Sequence, residues 1–393
     1  MLIGIVGKPN VGKSTFFKAL TLADVLIANY PFATIHPNKG FGHVRVECVD
    51  KEFNVKCNPR YGYCINSNRF VPVEVIDVAG LVPGASEGKG LGNQFLDDLR
   101  QADVLIHVVD MAGSTNANGE PVEPGTYDPA NDIDFLEREI DLWIFNIVKK
   151  NWDKFIRTVK AQHKSLAENI YDQLSGLKFS KHHIEEVIKK YPEIDHWNDE
   201  ILFNFLRDVR RKSKPIIIAA NKIDLPTAKK NLEILKERFS HLVIIPVSAE
   251  AELVLKEAHK AGLIEYVPGD SDFKIIKQLN EKQQYALKMI KEKILDVYGS
   301  TGVQKVINVA VFDILKYIAV FPGGINKLAD KDGNVLPDCF LLPPGSTALD
   351  FAAIIHSDLA KNFVKAMDVR TKRPLGKEYQ LKHRDVIEIY ASN

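Results

Sequence analysis

Cysteine is scarce in this chain, which has four among 393 residues. A disulfide-stapled scaffold is therefore excluded, and a chain of this length buries enough apolar surface to manage without staples. Long apolar runs are missing too. None approaches the roughly 20 residues that a membrane-spanning helix needs. The opening MLIGIVGKPNVGKS lacks the basic segment that precedes the apolar stretch of a signal peptide. A reducing, cytoplasmic setting without a membrane partner is the expectation. Excess charge of one sign is also absent, with 52 Lys and Arg against 51 Asp and Glu. That balance rules out a strongly basic nucleic-acid coat and leaves only local patches for such contacts. No internal repeat and no low-complexity tract occurs, so solenoids and disordered polymers drop out.

The cysteines have no familiar ligand spacing. Cys57 and Cys64 lie in CNPRYGYC, Cys48 lies upstream and Cys339 far downstream. Paired CxxC spacing and an accompanying histidine are lacking. Free thiols are expected, with a disulfide or a metal pair as the alternative.

What the chain does have is an alternation of short apolar runs and helical patterns. Leu2 to Val6, Val73 to Asp77, Val104 to Asp110, and the runs at 215–220 and 242–247 are strand candidates. Buried strands alternating with helices predict an α/β fold around a mostly parallel sheet. Residues 1–130 and 210–275 are assigned to this region. A Gly/Pro/Asn-rich stretch beginning at Ala112 is expected to be an exposed loop. Residues 131–209 form a helical insertion, expected as an antiparallel hairpin of long helices plus shorter ones. Ile133, Leu136, Ile140, Trp143, Ile144 and Ile147 share one face, and Phe155, Val159, Leu166, Ile170 and Leu174 share another. Residues 276–306 are expected to be a helical connector. Residues 307–393 form a small α+β module, with strand candidates at Tyr317 to Phe321 and Asp385 to Tyr390.

The chemistry begins at Gly7-Lys8-Pro9-Asn10-Val11-Gly12-Lys13-Ser14, a complete GxxxxGK[ST] motif between a strand and a helix, continued by Thr15. Glycines let the main chain curl its N–H groups around phosphate oxygens, and the helix N-terminus adds a positive dipole end. Lys13 places an ammonium against the β- and γ-phosphates, and the Ser14 hydroxyl is a Mg²⁺ ligand candidate. Asp77-Val78-Ala79-Gly80 lies at a strand end, where Asp77 can hold Mg²⁺ through water and the Gly80 N–H can meet the γ-phosphate. Asn221-Lys222-Ile223-Asp224 follows another strand. The Asp224 carboxylate can accept from guanine N1–H and N2–H₂, which adenine cannot supply. Asn221 can tie this loop to the phosphate loop. Ser248 and Ala249 follow the next strand, spaced for a main-chain N–H on guanine O6. Thr34, in ANYPFAT, is a candidate for Mg²⁺ and γ-phosphate contact that is lost after hydrolysis. Lys13, Thr34 and Gly80 are the residues expected to act on the reacting phosphate.

Leu81 follows the DVAG segment, where many related hydrolases carry a water-orienting Gln. Water must then be positioned by other groups or a partner, or hydrolysis is slow. Asn10 is a candidate ligand for a monovalent cation such as K⁺, or else a brace for the loop. Gly84, Gly88, Gly90 and Gly92 make the segment after Leu81 conformationally permissive, as a switch requires.

GKPNVGKSTFFKAL, ANYPFATIHPNKG and DVAGLVPGASEGKGLGNQFL resemble the Obg-type, YchF-like GTPases of the translation-factor class. The resemblance spans nearly the whole chain and is most specific over residues 1–110. LLPPGSTALDFA and the closing KHRDVIEIY resemble a TGS domain, a ubiquitin-like β-grasp module. The resemblance implies a P-loop NTPase of the Ras-like G-domain type, triphosphate hydrolysis with Mg²⁺, and association with ribosomes or RNA. It also implies that Leu81 is normal for the group. Many YchF proteins replace NKxD with a Glu-type motif and prefer ATP; Asp224 departs from that, so GTP is expected. The overall look resembles an archaeal branch.

The insertion carries Lys149, Lys150, Lys154, Arg157, Lys160 and Lys164, and the last module Lys372, Arg373, Lys377, Lys382 and Arg384. Such patches can bind RNA phosphates, or can be solvated faces balanced by acids. A monomer without DNA specificity, switching with GTP and GDP, is the leading expectation. An ATPase of the same fold and an RNA-binding adaptor that uses nucleotide structurally are the alternatives.

Overall fold

The structure, a computed structural model, describes residues 1–22, 38–78, 92–152, 156–157, 165–192 and 196–392. Thr34, Gly80, Leu81, Lys154, Lys160 and Lys164 lie outside them. The chain packs into two units. One is built mainly from Met1–Leu20 and Glu74–Val306, the other from Phe41–Val73 and Ile307–Asn393.

A seven-stranded sheet contains β1 (Leu2–Val6), β2 (Lys39–Glu47), β3 (Tyr63–Ile65), β4 (Asn68–Asp77), β5 (Val104–Asp110), β6 (Ile216–Asn221) and β7 (Val243–Pro246). The order is β2-β4-β1-β5-β6-β7, with β3 paired to β4. The pairs β1–β4, β1–β5, β5–β6 and β6–β7 are parallel. β1, β5 and β6 are buried at every residue, as unbroken apolar strands covered on both faces must be. The mostly parallel sheet expected from the sequence is present. β2 and β3 were not expected, because Gly40, Gly42 and His43 interrupt the apolar pattern of β2 and β3 is three residues long.

Around the sheet lie α1 (Lys13–Thr21), α2 (Gly92–Gln101), α3 (Ala130–Lys149), α4 (Leu166–Leu174), α5 (Lys181–Ile188), α6 (Asp199–Ser213), α7 (Ala228–Arg238), α8 (Ala249–Lys260) and α9 (Glu281–Ile290). The insertion has one 20-residue helix, α3, which packs on the 15-residue α6; α4 and α5 are short. Ser165 and Asn198 cap α4 and α6, each accepting from a main-chain N–H three residues on. Ile133, Leu136, Ile140, Trp143 and Ile144 join Ile170, Leu174, Ile184, Phe205 and Val209 in the core shared with the sheet. Within it, Arg210 bonds Asp141 at 2.8 Å and Glu137 at 2.7 Å. Burial pushes both carboxyls up; beside Arg210, Glu137 nevertheless ends below the usual range, whereas Asp141 stays above it.

The expected connector helix is a packed part of the first unit. Leu287, Ile290, Ile294 and Leu295 share a core with Leu255 of α8 and with Ile264 and Tyr266, next to the small hairpin of β8 (Ile264–Glu265) and β9 (Lys274–Ile275).

In the second unit, β10 (Ile318–Pro322), β11 (Phe340–Leu342), β12 (Phe363–Asp368), β13 (Pro374–Leu375) and β14 (Val386–Ala391) form a sheet ordered β11-β10-β14-β12-β13. α10 (Ala348–Ile355) opens with a capping box in which Thr347 and Asp350 exchange bonds. Its Phe351 packs with Val320, Leu342, Ala366, Leu381 and Ile387. Residues 41–73 belong with this module, held to it by Arg45–Asn308, Arg60–Asp330 and the Arg384 and Arg370 contacts to Glu52.

Candidate nucleotide site

The phosphate loop runs from the end of β1 into α1. Its path needs left-handed backbone at Asn10, with φ of 62°, and at Gly12, with φ of 90°. At Gly12 the requirement is also steric, since a Cβ there would lie 2.3 Å from the Asn221 amide nitrogen. That close approach has a purpose. Asn221 Nδ2 donates to the Val11 carbonyl at 2.8 Å, and its Oδ1 accepts from the Ala249 N–H at 3.0 Å. One buried amide thus joins the phosphate loop, the end of β6 and the loop after β7. Asp224 stands exposed nearby, with Ser248 Oγ donating to its Oδ1 at 3.1 Å. The residues at 221, 224, 248 and 249, forecast as one base-reading group, are brought together.

Lys13 and Asp77 also converge. The Lys13 ammonium contacts the Asp77 carboxylate and lies 3.2 Å from the Val78 carbonyl. The Val78 N–H bonds the Ile5 carbonyl at 3.0 Å, which fixes the end of β4 against β1. Ser14 is exposed and Asp77 half-buried. A hydroxyl and a carboxylate are hard oxygen donors of the kind Mg²⁺ takes, so this donor set fits the ion. Thr15 follows at the start of α1.

Two loop residues have other duties. Lys8 turns its side chain away to an ion pair with Asp132 at 2.9 Å, to the Thr115 carbonyl at 3.0 Å, and over the Tyr127 ring at 3.9 Å. Only its main chain remains for phosphate, while Pro9 has no N–H to donate. Asn10 Nδ2 donates to the Gly119 carbonyl at 2.9 Å, which is the bracing contact. Gly7, Lys8, His107, Tyr127 and Asp132 line a cavity of about 230 Å³ beside these residues. Burial pushes the Asp132 carboxyl up, opposed by Lys8.

Sequence reasoning missed Asp110. This buried carboxylate at the end of β5 accepts from Ser114 Oγ at 2.7 Å, Thr115 Oγ1 at 3.0 Å and Lys222 Nζ at 2.9 Å. Lys222, the second residue of NKxD, is therefore spent on orienting the loop. A polar residue closing VLIHVVD was the available signal. The expected exposed loop after Ala112 is laced down: Thr115 bridges Pro121, and Asn116 bonds Glu120 at 2.7 Å.

Residues 2–222 match the family model described as 50S ribosome-binding GTPase. The chain belongs to the P-loop GTPases of the Obg-like, YchF-type family. Residues 219–323 match the G4-motif domain of Obg-like, YGR210-like GTPases, and residues 328–391 match the TGS domain. An uncharacterized GTP-binding protein of Methanocaldococcus jannaschii is 51% identical, with 100% of this chain and 99% of that one covered. The ribosome-binding ATPase YchF of Buchnera aphidicola is 30% identical over 93% of this chain and 88% of its own. A crystal structure of a GTP-binding protein from Pyrococcus horikoshii OT3 superposes with a TM-score of 0.77 at 40% identity, covering all of both chains. Archaeal relatives of this kind agree with the branch expected from the sequence. Among the described residues, no helix of this GTPase is long and apolar enough to cross a membrane.

Proposed function

We propose that this GTPase is a molecular switch that binds GTP, hydrolyses it, and acts on the ribosome. The observation that carries the reading is the Asn221 amide bonded to both Val11 and Ala249, with Asp224 oriented by Ser248. It couples the phosphate loop to a carboxylate that accepts from guanine N1–H and N2–H₂. Against adenine the same carboxylate is left unpaired, which costs roughly 1–3 kcal/mol. The main-chain N–H groups of Gly7, Lys8, Asn10, Val11, Gly12, Lys13, Ser14 and Thr15 cradle the phosphates. Lys13 swings from Asp77 to the β- and γ-phosphates and stabilises the developing charge. Ser14 and Asp77, with Thr34, would hold Mg²⁺, which would supply positive charge to the transferring phosphate. Gly80 offers its N–H to the γ-phosphate, and its release with Thr34 after hydrolysis resets the switch. Asn10 keeps Oδ1 for K⁺ while its nitrogen braces Gly119.

Ribosome association draws on the family description and on the relative named a ribosome-binding ATPase. The exposed Lys372, Arg373, Lys377 and Lys382 suit RNA phosphates. The test has three arms. GTP is expected to bind at least about tenfold tighter than ATP, and Asp224→Asn to remove that margin. Equal affinities, unmoved by the variant, favour the ATPase. Single-turnover hydrolysis in KCl and in NaCl, with and without ribosomes, separates the cation from the brace; no phosphate release under any condition favours the structural adaptor. Co-sedimentation with ribosomes is expected to differ between a GTP analogue and GDP, and the Lys372→Glu/Lys377→Glu double variant to weaken it at moderate salt.

A further inference from the structure

The second unit contains a cluster of side chains that the nucleotide site does not use. β2 ends at Glu47, and a tight turn at Val49–Lys51 follows Cys48. The chain then loops out and returns through β3, which carries Cys64 opposite Arg69 of β4. The Cys48 N–H bonds the Ser67 carbonyl at 2.8 Å, and the Val55 N–H bonds the Asp50 carbonyl at 3.0 Å. Gly62 has φ of 71°, and a Cβ there would sit 2.0 Å from the Phe70 carbonyl oxygen, so only glycine lets the loop close this tightly. The effect is to fold Cys57 back between Cys48 and Cys64.

One ligand atom from each of Cys48, Asp50, Cys57 and Cys64 lies within 4.8 Å of all the others. The Cys48 and Cys57 sulfurs are 3.7 Å apart. A disulfide needs about 2.05 Å. Two sulfurs on one tetrahedral zinc, each bonded at about 2.3 Å, stand about 3.8 Å apart. The whole group spans a single ion and not a multi-iron cluster. Cys48 and Asp50 are buried, and Cys57 and Cys64 half-buried, so an ion there loses most of its water and keeps protein ligands.

Charge supplies a second, independent observation. Arg69 is wholly buried. Two of its nitrogens bind the carbonyls of Leu336 at 3.0 Å and Pro337 at 2.8 Å, and Nε has no partner among the described residues. A buried guanidinium bonded to neutral carbonyls needs negative charge close by, and the half-buried Asp338 carboxylate supplies part of it. Three thiolates and one carboxylate around a divalent ion carry a net charge of −2, which adds to that of Asp338. Without an ion, three thiolates this close repel one another.

We propose that Cys48, Asp50, Cys57 and Cys64 bind one tetrahedral Zn²⁺ ion. The ion pins the loop between β2 and β3. That loop is the surface on which the segment at 330–338 rests, through Asn58 N–H to the Val335 carbonyl, Arg60 N–H to the Pro337 carbonyl, both at 2.8 Å, and the Arg60–Asp330 pair. The role is structural: no water-activating position is left open when four protein ligands are present.

The test uses the full chain, purified under reducing, chelator-free conditions. It is expected to retain about one zinc per chain by elemental analysis. Anaerobic titration of the metal-stripped protein with Co²⁺ should give the intense visible bands of tetrahedral cobalt with thiolate ligands. Cys57→Ser and Cys64→Ser should each lower retained zinc about tenfold or more, with GDP binding reporting that the first unit remains folded. Asp50→Asn keeps the sulfurs and should retain cobalt with shifted bands, which covers the case in which a cysteine variant fails to fold. Reduced wild-type protein that binds GDP yet takes up neither zinc nor cobalt overturns the proposal. So do iron in place of zinc and a Cys48–Cys57 disulfide in a non-reducing peptide map of freshly isolated protein.

Discussion

Asn221 and Arg69 are both buried, and each holds together segments far apart in sequence. Asn221 does so with a neutral amide, one donor to Val11 and one acceptor from Ala249. Arg69 does so with a full charge placed on the Leu336 and Pro337 carbonyls. A neutral side chain whose hydrogen bonds are made costs little to bury, and nothing beyond those partners is needed. A charge needs a counter-charge, so the second unit depends on the state of the groups around it. The two halves of the molecule therefore answer to different agents: the first to nucleotide, the second to chelators and oxidants of thiols.

The largest expected effect tests the charged half. Arg69→Met should destabilise the second unit by about 3–5 kcal/mol and speed amide exchange at residues 58–60 and 330–338. GDP affinity should hold; if GDP affinity falls in parallel, the two halves do not separate as described. Lys13→Ala acts on the other half. It should lower single-turnover GTP hydrolysis about 100-fold or more while leaving amide exchange at residues 330–338 of the second unit unchanged. Asn221→Ala should cost about 2 kcal/mol of stability by leaving the Val11 carbonyl and Ala249 N–H unpaired, and that loss should be the same with and without a zinc chelator. Dependence on the chelator would break the contrast.

The smallest effect is a slope. His107 is buried in β5, and its Nδ1 has no partner among the described residues. Burial pulls its pKa down to about 3, with Glu137 opposing and Lys8 assisting. The native state holds it neutral, while the unfolded chain takes up a proton below about 6.5. Its contribution is full above that pH and declines toward pH 3 by at most about 1.4 kcal/mol per pH unit. The difference between wild type and His107→Gln in urea unfolding from pH 7 to 5 isolates this slope from carboxylates titrating lower. A pH-independent difference would refute it.

The nucleotide loops were legible because each motif is contiguous and sits at a strand end, where a parallel sheet delivers loops to one edge. The parallel strands and the C-terminal module were legible from unbroken apolar runs and turn residues. β2 escaped because glycine, histidine and charge separate its apolar residues, although Phe41 to Val44 are all buried. The pairings of Lys222 with Asp110 and of Lys8 with Asp132 join residues more than a hundred positions apart, and no local pattern announces them. The cysteines escaped for the opposite reason. Their spacing matched no ligand signature, and only the β3–β4 hairpin, tied to the end of β2 through the Cys48–Ser67 bond, makes neighbours of Cys48, Cys57 and Cys64.

The pairing of Lys8 with Asp132 has a mechanical consequence. Asp132 lies in the first turn of α3, and Lys8 is the second residue of the phosphate loop. With Asn10 fastened to Gly119, the loop is leashed twice to the segment that leads into the insertion. Both ties run from the phosphate loop to residues 119–132, so the start of α3 and the loop share their side-chain contacts as well as their main chain. Removing either tie therefore alters what holds the first turn of α3 as well as what holds the loop.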